Sequence, residues 1–244
     1  MAKTVLITGA SKGIGRETAV QFAREGYNVV VNYNRSKHGA QALLDELTEL
    51  GCDAISIRAD VANRAQVQAM VATATERFKH IDVLINNAGI AQQKLFGDIT
   101  PHNWERMLGV NITGVFNTCQ CVLPQMIRRQ AGKIINVSSI WGISGASCEV
   151  HYSTSKAAVI GFTKALAKEV GPSHIQVNCV APGIVSTEMN VHLDAQTLEE
   201  LREETPLGTI GTPADIANVL SFLASKKADF ITGQVISPNG GFVI

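Results

Sequence analysis

The chain has 244 residues, a length between one large domain and two small ones at about 150 residues per domain. Hydrophobic residues make up 45% and charged residues 17%, which excludes intrinsic disorder and supports a layered core. Twenty-one basic residues balance twenty-one acidic ones, so no global field exists to recruit nucleic acid or an anionic membrane.

Short β-branched runs recur along the chain: 4–8, 28–32, 54–58, 83–86, 133–138, 176–180 and 234–237. Between them, 13–24, 39–50, 64–77 and 152–170 carry apolar residues at helical spacing. Strands apolar on both faces that alternate with helices predict a parallel sheet covered on both sides, an α/β doubly wound fold. No linker, repeat or low-complexity tract divides the chain, so residues 1–244 read as a single domain. One segment breaks the rhythm. Asp194 to Glu204 holds five acids (Asp194, Glu199, Glu200, Glu203 and Glu204) against Arg202, and its position after the sixth strand suits a mobile lid. The run Val5-Leu6-Ile7 is too short for a signal peptide or a membrane span. Five scattered cysteines without a C-x-x-C fit a reducing cytoplasm better than a disulfide framework or a zinc site.

The first strand runs into Thr8-Gly9-Ala10-Ser11-Lys12-Gly13-Ile14-Gly15, which opens a helix. Glycines there permit positive φ and let backbone N–H groups approach a pyrophosphate at the helix N-terminus. The alternative is a tight strand-to-helix turn with no ligand. The second strand ends in Asn32-Tyr33-Asn34-Arg35, with no carboxylate to repel a 2′-phosphate. Arg35 and Lys12 can pair with that phosphate, which favours NADP(H); otherwise both are solvated surface charges. Asp60 and Val61, after the third strand, suit the adenine ring. Asn86-Asn87-Ala88-Gly89, at the end of the fourth, suits the crevice edge where ligands bind. Either motif alone is also ordinary turn chemistry.

The fifth strand ends at Ser138-Ser139, and Tyr152 and Lys156 follow at i, i+4 on one helix face. An ammonium beside the phenol is expected to lower its pKa from the usual value of about 10. Tyr152 can then exchange a proton with a carbonyl or alcohol oxygen, while Ser139 hydrogen-bonds the same oxygen. Lys156 can also hold the nicotinamide ribose.

Together, T-G-A-S-K-G-I-G at 8–15, N-N-A-G at 86–89, Asn111, Ser139, Tyr152-x-x-x-Lys156 and Pro182-Gly183 resemble the short-chain dehydrogenase/reductase family along the whole chain. The resemblance implies a single Rossmann-type domain with a seven-stranded parallel sheet, usually a homotetramer. It implies that Asn111 bridges through water to Lys156, and that Val185 and Thr187 contact the nicotinamide carboxamide or pyrophosphate. In such tetramers the helix carrying Tyr152 packs on its neighbour, with Val159, Phe162 and Leu166 buried between chains. The stretch Ile231-Thr232-Gly233-Gln234 and Asn239-Gly240-Gly241 resemble the branch that reduces 3-oxoacyl groups on acyl carrier protein. That branch docks its acidic carrier with basic residues beside the site; Arg128 and Arg129 match one such position, and Ser173-His174 stand at the other. The segment from Ser138 to Val150 is instead closer to relatives that reduce a 5-aminopentanone-modified lysine on elongation factor P. A non-catalytic NADP(H)-sensing scaffold is a further reading, opposed by the intact Asn111, Ser139, Tyr152 and Lys156 set.

Three residues near the chemistry carry two readings each. Cys148 is a reactive thiol or, more in keeping with a free cysteine, a small packing residue. Glu149 meets a substrate amine or is a solvated loop acid. Trp141 walls the pocket or packs beneath the loop. His151, one position before Tyr152, falls on a different helix face.

Overall fold

The computed structural model describes residues 2–188 and 195–244. Seven strands, β1 (Thr4–Ile7), β2 (Asn28–Tyr33), β3 (Ala54–Arg58), β4 (Val83–Asn86), β5 (Gly132–Val137), β6 (Ile175–Val180) and β7 (Val235–Ile236), form one sheet in the order β3-β2-β1-β4-β5-β6-β7. All six pairings are parallel. The helices are α1 (Gly13–Arg24), α2 (Lys37–Glu49), α3 (Arg64–Phe78), α4 (Pro101–Leu108), α5 (Gly114–Arg129), α6 (Trp141–Ser144), α7 (Val150–Val170), α8 (Ala195–Glu204) and α9 (Pro213–Ala224).

Both faces of the sheet are covered, because alternate residues of one strand feed two cores. Val5, Ile7, Val29 and Val31 pack with Phe22, Leu43 and Leu220 under α1, α2 and α9. Leu6 and Val30, between them in sequence, pack with Met70, Val122 and Val159 under α3, α5 and α7. Each buried aliphatic side chain contributes about 1.5–3 kcal/mol, so the unbroken apolar strands are what make the sheet central. Strand order reverses between β1 and β4, and the crevice at their carboxyl ends is where ligands bind in such sheets.

The seventh strand is shorter than the four residues expected. Gly233 has φ 70° before it and Pro238 follows soon after, so only Val235 and Ile236 pair with β6. Val159, expected between chains, is instead 1% exposed in the chain's own core. Only Phe162 and Leu166 of that trio keep surface for a neighbour. The acidic segment is helical as α8, and Asp194, its first acid, lies outside the described residues. Among the described residues no helix is long and apolar enough to cross a membrane.

Candidate active site

The glycine turn is locked to the fourth strand's loop by contacts that leave no room for side chains. Gly9 has φ 63°, and a Cβ on it would sit 2.8 Å from Ala88 Cα. A Cβ on Gly15 would sit 2.5 Å from Asn87 Nδ2. Thr8 Oγ1 accepts the N–H groups of Asn87 and Ala88 at 3.0 Å each, and Asn87 Nδ2 donates to the carbonyls of Thr8 (2.9 Å) and Gly9 (3.1 Å). Lys12 caps α1 in an extended conformation with no side-chain capping bond, so the first N–H groups of the helix face the crevice unspent on a cap. That combination of close backbone approach and an uncapped helix start fits a pyrophosphate.

Asn32 is an element of this region that its residue type does not announce. It is 1% exposed; its Oδ1 accepts from Gly9 N–H at 3.2 Å and its Nδ2 donates to Ala59 O at 3.1 Å. It thereby ties the first three strand ends together. Asn34 and Asp60 line a cavity of about 520 Å³ with Arg58 and Gln66. Asp60 is already engaged: Oδ1 accepts Ala62 N–H at 3.0 Å, and Arg106 stands 3.4 Å from Oδ2. Val61 is buried beside it. Arg35 is exposed, and Lys12 faces Glu188 at 3.6 Å with both side chains largely in solvent. A second cavity, about 560 Å³, separates Gly13 and Arg16 from Val185, Thr187 and Leu198. Thr187 would be 3.5 Å from a Cβ on Gly13, so the segment after β6 lies across the turn. Gly183 is fixed by Asn239, whose Cα would be 2.7 Å from a Cβ there, and Pro182 O accepts Ile140 N–H at 3.0 Å. Neither of these two cavities contains Ser139 or Tyr152.

The expected reactive set does converge, at the carboxyl ends of β4 and β5. Lys156 Nζ donates to Val137 O at 2.9 Å and lies 5.7 Å from the Tyr152 ring centroid. Gly89 sits between the two polar groups: a Cβ on it would be 3.3 Å from Lys156 Nζ and 3.5 Å from Asn111 Oδ1. Asn111 is held in a single π turn, 109–113, between α4 and α5, a device that recurs at functional sites. Its Oδ1 accepts Ile90 N–H at 2.9 Å, and its Nδ2 donates to Ser155 Oγ at 2.9 Å. Ser139 Oγ accepts Trp141 N–H at 3.2 Å, which leaves the hydroxyl proton available to a substrate oxygen.

The electrostatics differ from expectation. Burial pushes Tyr152 up to about 12; the Ser139 hydroxyl pulls it down and the Glu149 carboxylate pushes it further up. Burial also pushes Lys156 down to about 8, with Cys179 drawing it the other way. Burial is therefore the dominant influence on both groups, and at neutral pH Tyr152 is a protonated donor.

Around this set, Cys148 has φ 59° and its carbonyl accepts Lys94 N–H at 2.7 Å. His151 is fully buried with Nε2 3.4 Å from Gln92 Oε1, on the face away from the reactive pair. Arg129 is not beside the site. It pairs with Asp82 at 2.5 Å, at the amino ends of the strands, because α5 runs antiparallel to them. Arg128, next to it, and Ser173-His174, just before β6, share that far end. Within one chain Arg128-Arg129 and Ser173-His174 therefore lie at the opposite ends of the strands from the reactive set.

A family model for short chain dehydrogenases matches residues 3–198. The chain belongs to that family. It is 44% identical over 241 residues to a 3-oxoacyl-[acyl-carrier-protein] reductase of Staphylococcus aureus, covering 99% of this chain and 98% of that protein. It is 40% identical over 244 residues to the reductase of the same name from Synechocystis (100% and 98%), and 40% identical over 242 residues to that of Thermotoga maritima (99% and 98%). Family membership and these likenesses make the chain an oxidoreductase acting on a ketone–alcohol pair through a nicotinamide cofactor.

Proposed function

We propose that the chain is an NADPH-dependent carbonyl reductase, with a 3-oxoacyl thioester of acyl carrier protein as its nominal substrate. The observation that carries this is the meeting of Lys156 and Asn111 at Gly89, with Lys156 5.7 Å from the Tyr152 ring and Ser139 acting on the Tyr152 phenol, in a chain whose full-length relatives bear that name. Bound NADPH would supply a hydride to the carbonyl carbon. Tyr152 Oη gives its proton to the carbonyl oxygen as the C=O π bond opens, so ketone plus hydride plus proton make the alcohol. Ser139 Oγ–H donates to the same oxygen as negative charge grows there. Lys156, close to the phenol and to Gly89, holds the ribose and leads a proton back to Tyr152, with Asn111 anchoring the path beyond it. Gly9, Ser11, Gly13, Ile14 and Gly15 cradle the pyrophosphate; Asp60, Val61, Asn87 and Ala88 border the adenosine and ribose; Pro182, Gly183, Val185 and Thr187 close over the nicotinamide half. The whole chain then serves as one NADP(H)-binding domain of a cytoplasmic homotetramer, with Phe162 and Leu166 covered by a neighbouring copy. Sedimentation at micromolar concentration should give four times the chain mass, and a monomer would refute that assembly.

Selectivity for the phosphorylated cofactor rests on Lys12 and Arg35. A charge-assisted contact to phosphate is worth roughly 1.5–3 kcal/mol, so NADPH should exceed NADH in kcat/KM by at least about tenfold. The double change Lys12→Ala, Arg35→Ala should erase most of that ratio. Equal use of both cofactors by the wild type would overturn the assignment.

One observation favours a second substrate class. Glu149 lies close enough to Tyr152 to push its pKa up, so a negative charge acts at the reaction centre. A ketone carrying an ammonium group, such as the 5-aminopentanone modification of a lysine on elongation factor P, would be drawn to it. Glu149→Gln should then lower kcat/KM for an amino-ketone about fivefold or more and change a neutral ketone far less. An equal effect on both would remove this reading and leave the carrier-linked thioester.

A further inference from the structure

Beyond the reactive set, the chain's last residues return to the site and meet the segment that follows Ser139. Trp141 and Phe242 form an edge-to-face pair, 5.8 Å between centroids at 80°, and both are only half-buried. Each end of the pair is pinned. Trp141 N–H donates to Ser139 Oγ at 3.2 Å, and the next residue, Gly142, is so close to α7 that a Cβ on it would lie 2.7 Å from Lys156 C. On the other side Asn239 knots the tail. Its Nδ2 donates to Val243 O at 2.8 Å, and its Oδ1 accepts Gly241 N–H at 2.7 Å. Gly240 and Gly241, with φ 65° and 91°, make a turn that rests on the segment after α8. A Cβ on Gly240 would be 2.6 Å from Thr205 Cγ2, and one on Gly241 would be 2.9 Å from Pro206 Cγ. Leu207 N–H donates to Gly240 O at 3.0 Å.

A segment held this firmly sets the Phe242 ring against Trp141, which itself stands two residues after the Ser139 hydroxyl that meets the substrate oxygen. The core under the sheet does not need Phe242, which belongs to neither apolar cluster. We propose that Trp141 and Phe242 form an apolar wall for the carbon chain of the ketone substrate, and that Phe242 sets the chain length the enzyme prefers. The inference rests on the ketone-reductase reading and deepens it with a specificity-determining residue: the substrate's apolar chain runs from the carbonyl along the indole and meets the phenyl ring of Phe242. The wall also joins the substrate segment to the base of α8, so a chain lying on it touches both sides of the site.

The test uses N-acetylcysteamine thioesters of four-carbon and eight-carbon 3-oxo acids with the full-length protein. Phe242→Ala should lower the eight-carbon over four-carbon ratio of kcat/KM by at least about fivefold, as expected for loss of a ring's apolar contact, and mainly through KM. Phe242→Leu should restore most of it. An unchanged ratio, or an equal loss for both lengths, would overturn the proposal. A second measurement does not depend on turnover. The chain has two tryptophans, so Trp104→Phe leaves Trp141 as the sole indole emitter. Octanoyl N-acetylcysteamine should then change its fluorescence saturably, and Phe242→Ala should weaken that binding at least about fivefold. No change in emission would overturn the wall. If neither 3-oxo thioester is reduced while octanoyl binding is seen, the wall stands and the reductase reading falls.

Discussion

Tyr152→Phe is expected to lower kcat for ketone reduction by about 10³-fold while NADPH affinity stays within about twofold. The change removes one oxygen from a ring that is 8% exposed and leaves its packing in place. A positioned general acid is worth about 10²–10⁴, and Ser139 does not replace the phenol, since it is the Tyr152 ring that has Lys156 beside it, at 5.7 Å. The direction of the phenol's shift adds a pH signature. With the folded value near 12, the donor form is complete throughout the neutral range, so reduction should be flat there. Alcohol oxidation needs the phenolate and should climb with pH. Single-turnover oxidation of bound NADPH and a fluorescence titration of the cofactor measure the two halves. Near-wild-type turnover in the variant would remove Tyr152 as the donor.

Lys156→Met should abolish most activity and, at neutral pH, make the cofactor-free protein more stable. Lys156 is 5% exposed, and burial takes it from an ordinary 10.5 to about 8. Between those values the unfolded chain binds more protons than the folded one, so stability rises with pH across that window. Below pH 8 the full cost of burying the ammonium is present, on the order of 3 kcal/mol for such a shift. Methionine removes that cost but leaves Val137 O without its donor, about 1 kcal/mol. The net gain of roughly 2 kcal/mol corresponds to roughly 4–8 °C in Tm for a chain of this size. The gain should shrink as pH rises from 8 towards 10.5. A lower Tm for the variant at pH 7 would mean that the fold stabilises the ammonium, contrary to this account. The same balance explains why a site lysine persists at a stability cost: function, not packing, requires the charge.

Much of this was legible in the residues because local and global signals agree. Val5-Leu6-Ile7 and Val29-Val30-Val31 have no polar face, and only a doubly covered parallel sheet satisfies such strands. The glycines at 9, 13 and 15 announce a backbone that must come close to something, and Gly9 and Gly15 indeed abut Ala88 and Asn87. Helices α4 and α9 are not among the segments picked out by apolar spacing, yet each had a readable start: Thr100-Pro101-x-Asn103 and Thr212-Pro213-x-Asp215 are capping boxes with proline in the first turn. The π turn at Asn111 had no such signal, since it arises where Asn111 bonds Ile90 and Ser155 rather than from local propensity. The pKa balance was misjudged for a related reason. Proximity of Lys156 to Tyr152 is written in an i, i+4 spacing, but burial is a property of the assembled core, and at this site burial is the larger effect. The far-end location of Arg129 is likewise a matter of helix direction, visible only once α5 is laid against the sheet.

The central claim is that this chain reduces a ketone with NADPH through Tyr152. Its most direct test is to mix the wild-type protein with NADPH and an acetoacetyl thioester, then follow loss of the reduced nicotinamide and formation of the 3-hydroxyacyl product. The account predicts turnover with one product formed per NADPH consumed, and a rate about 10³-fold lower with Tyr152→Phe. A folded wild-type protein that binds NADPH yet consumes none with this thioester or with an amino-ketone would contradict it.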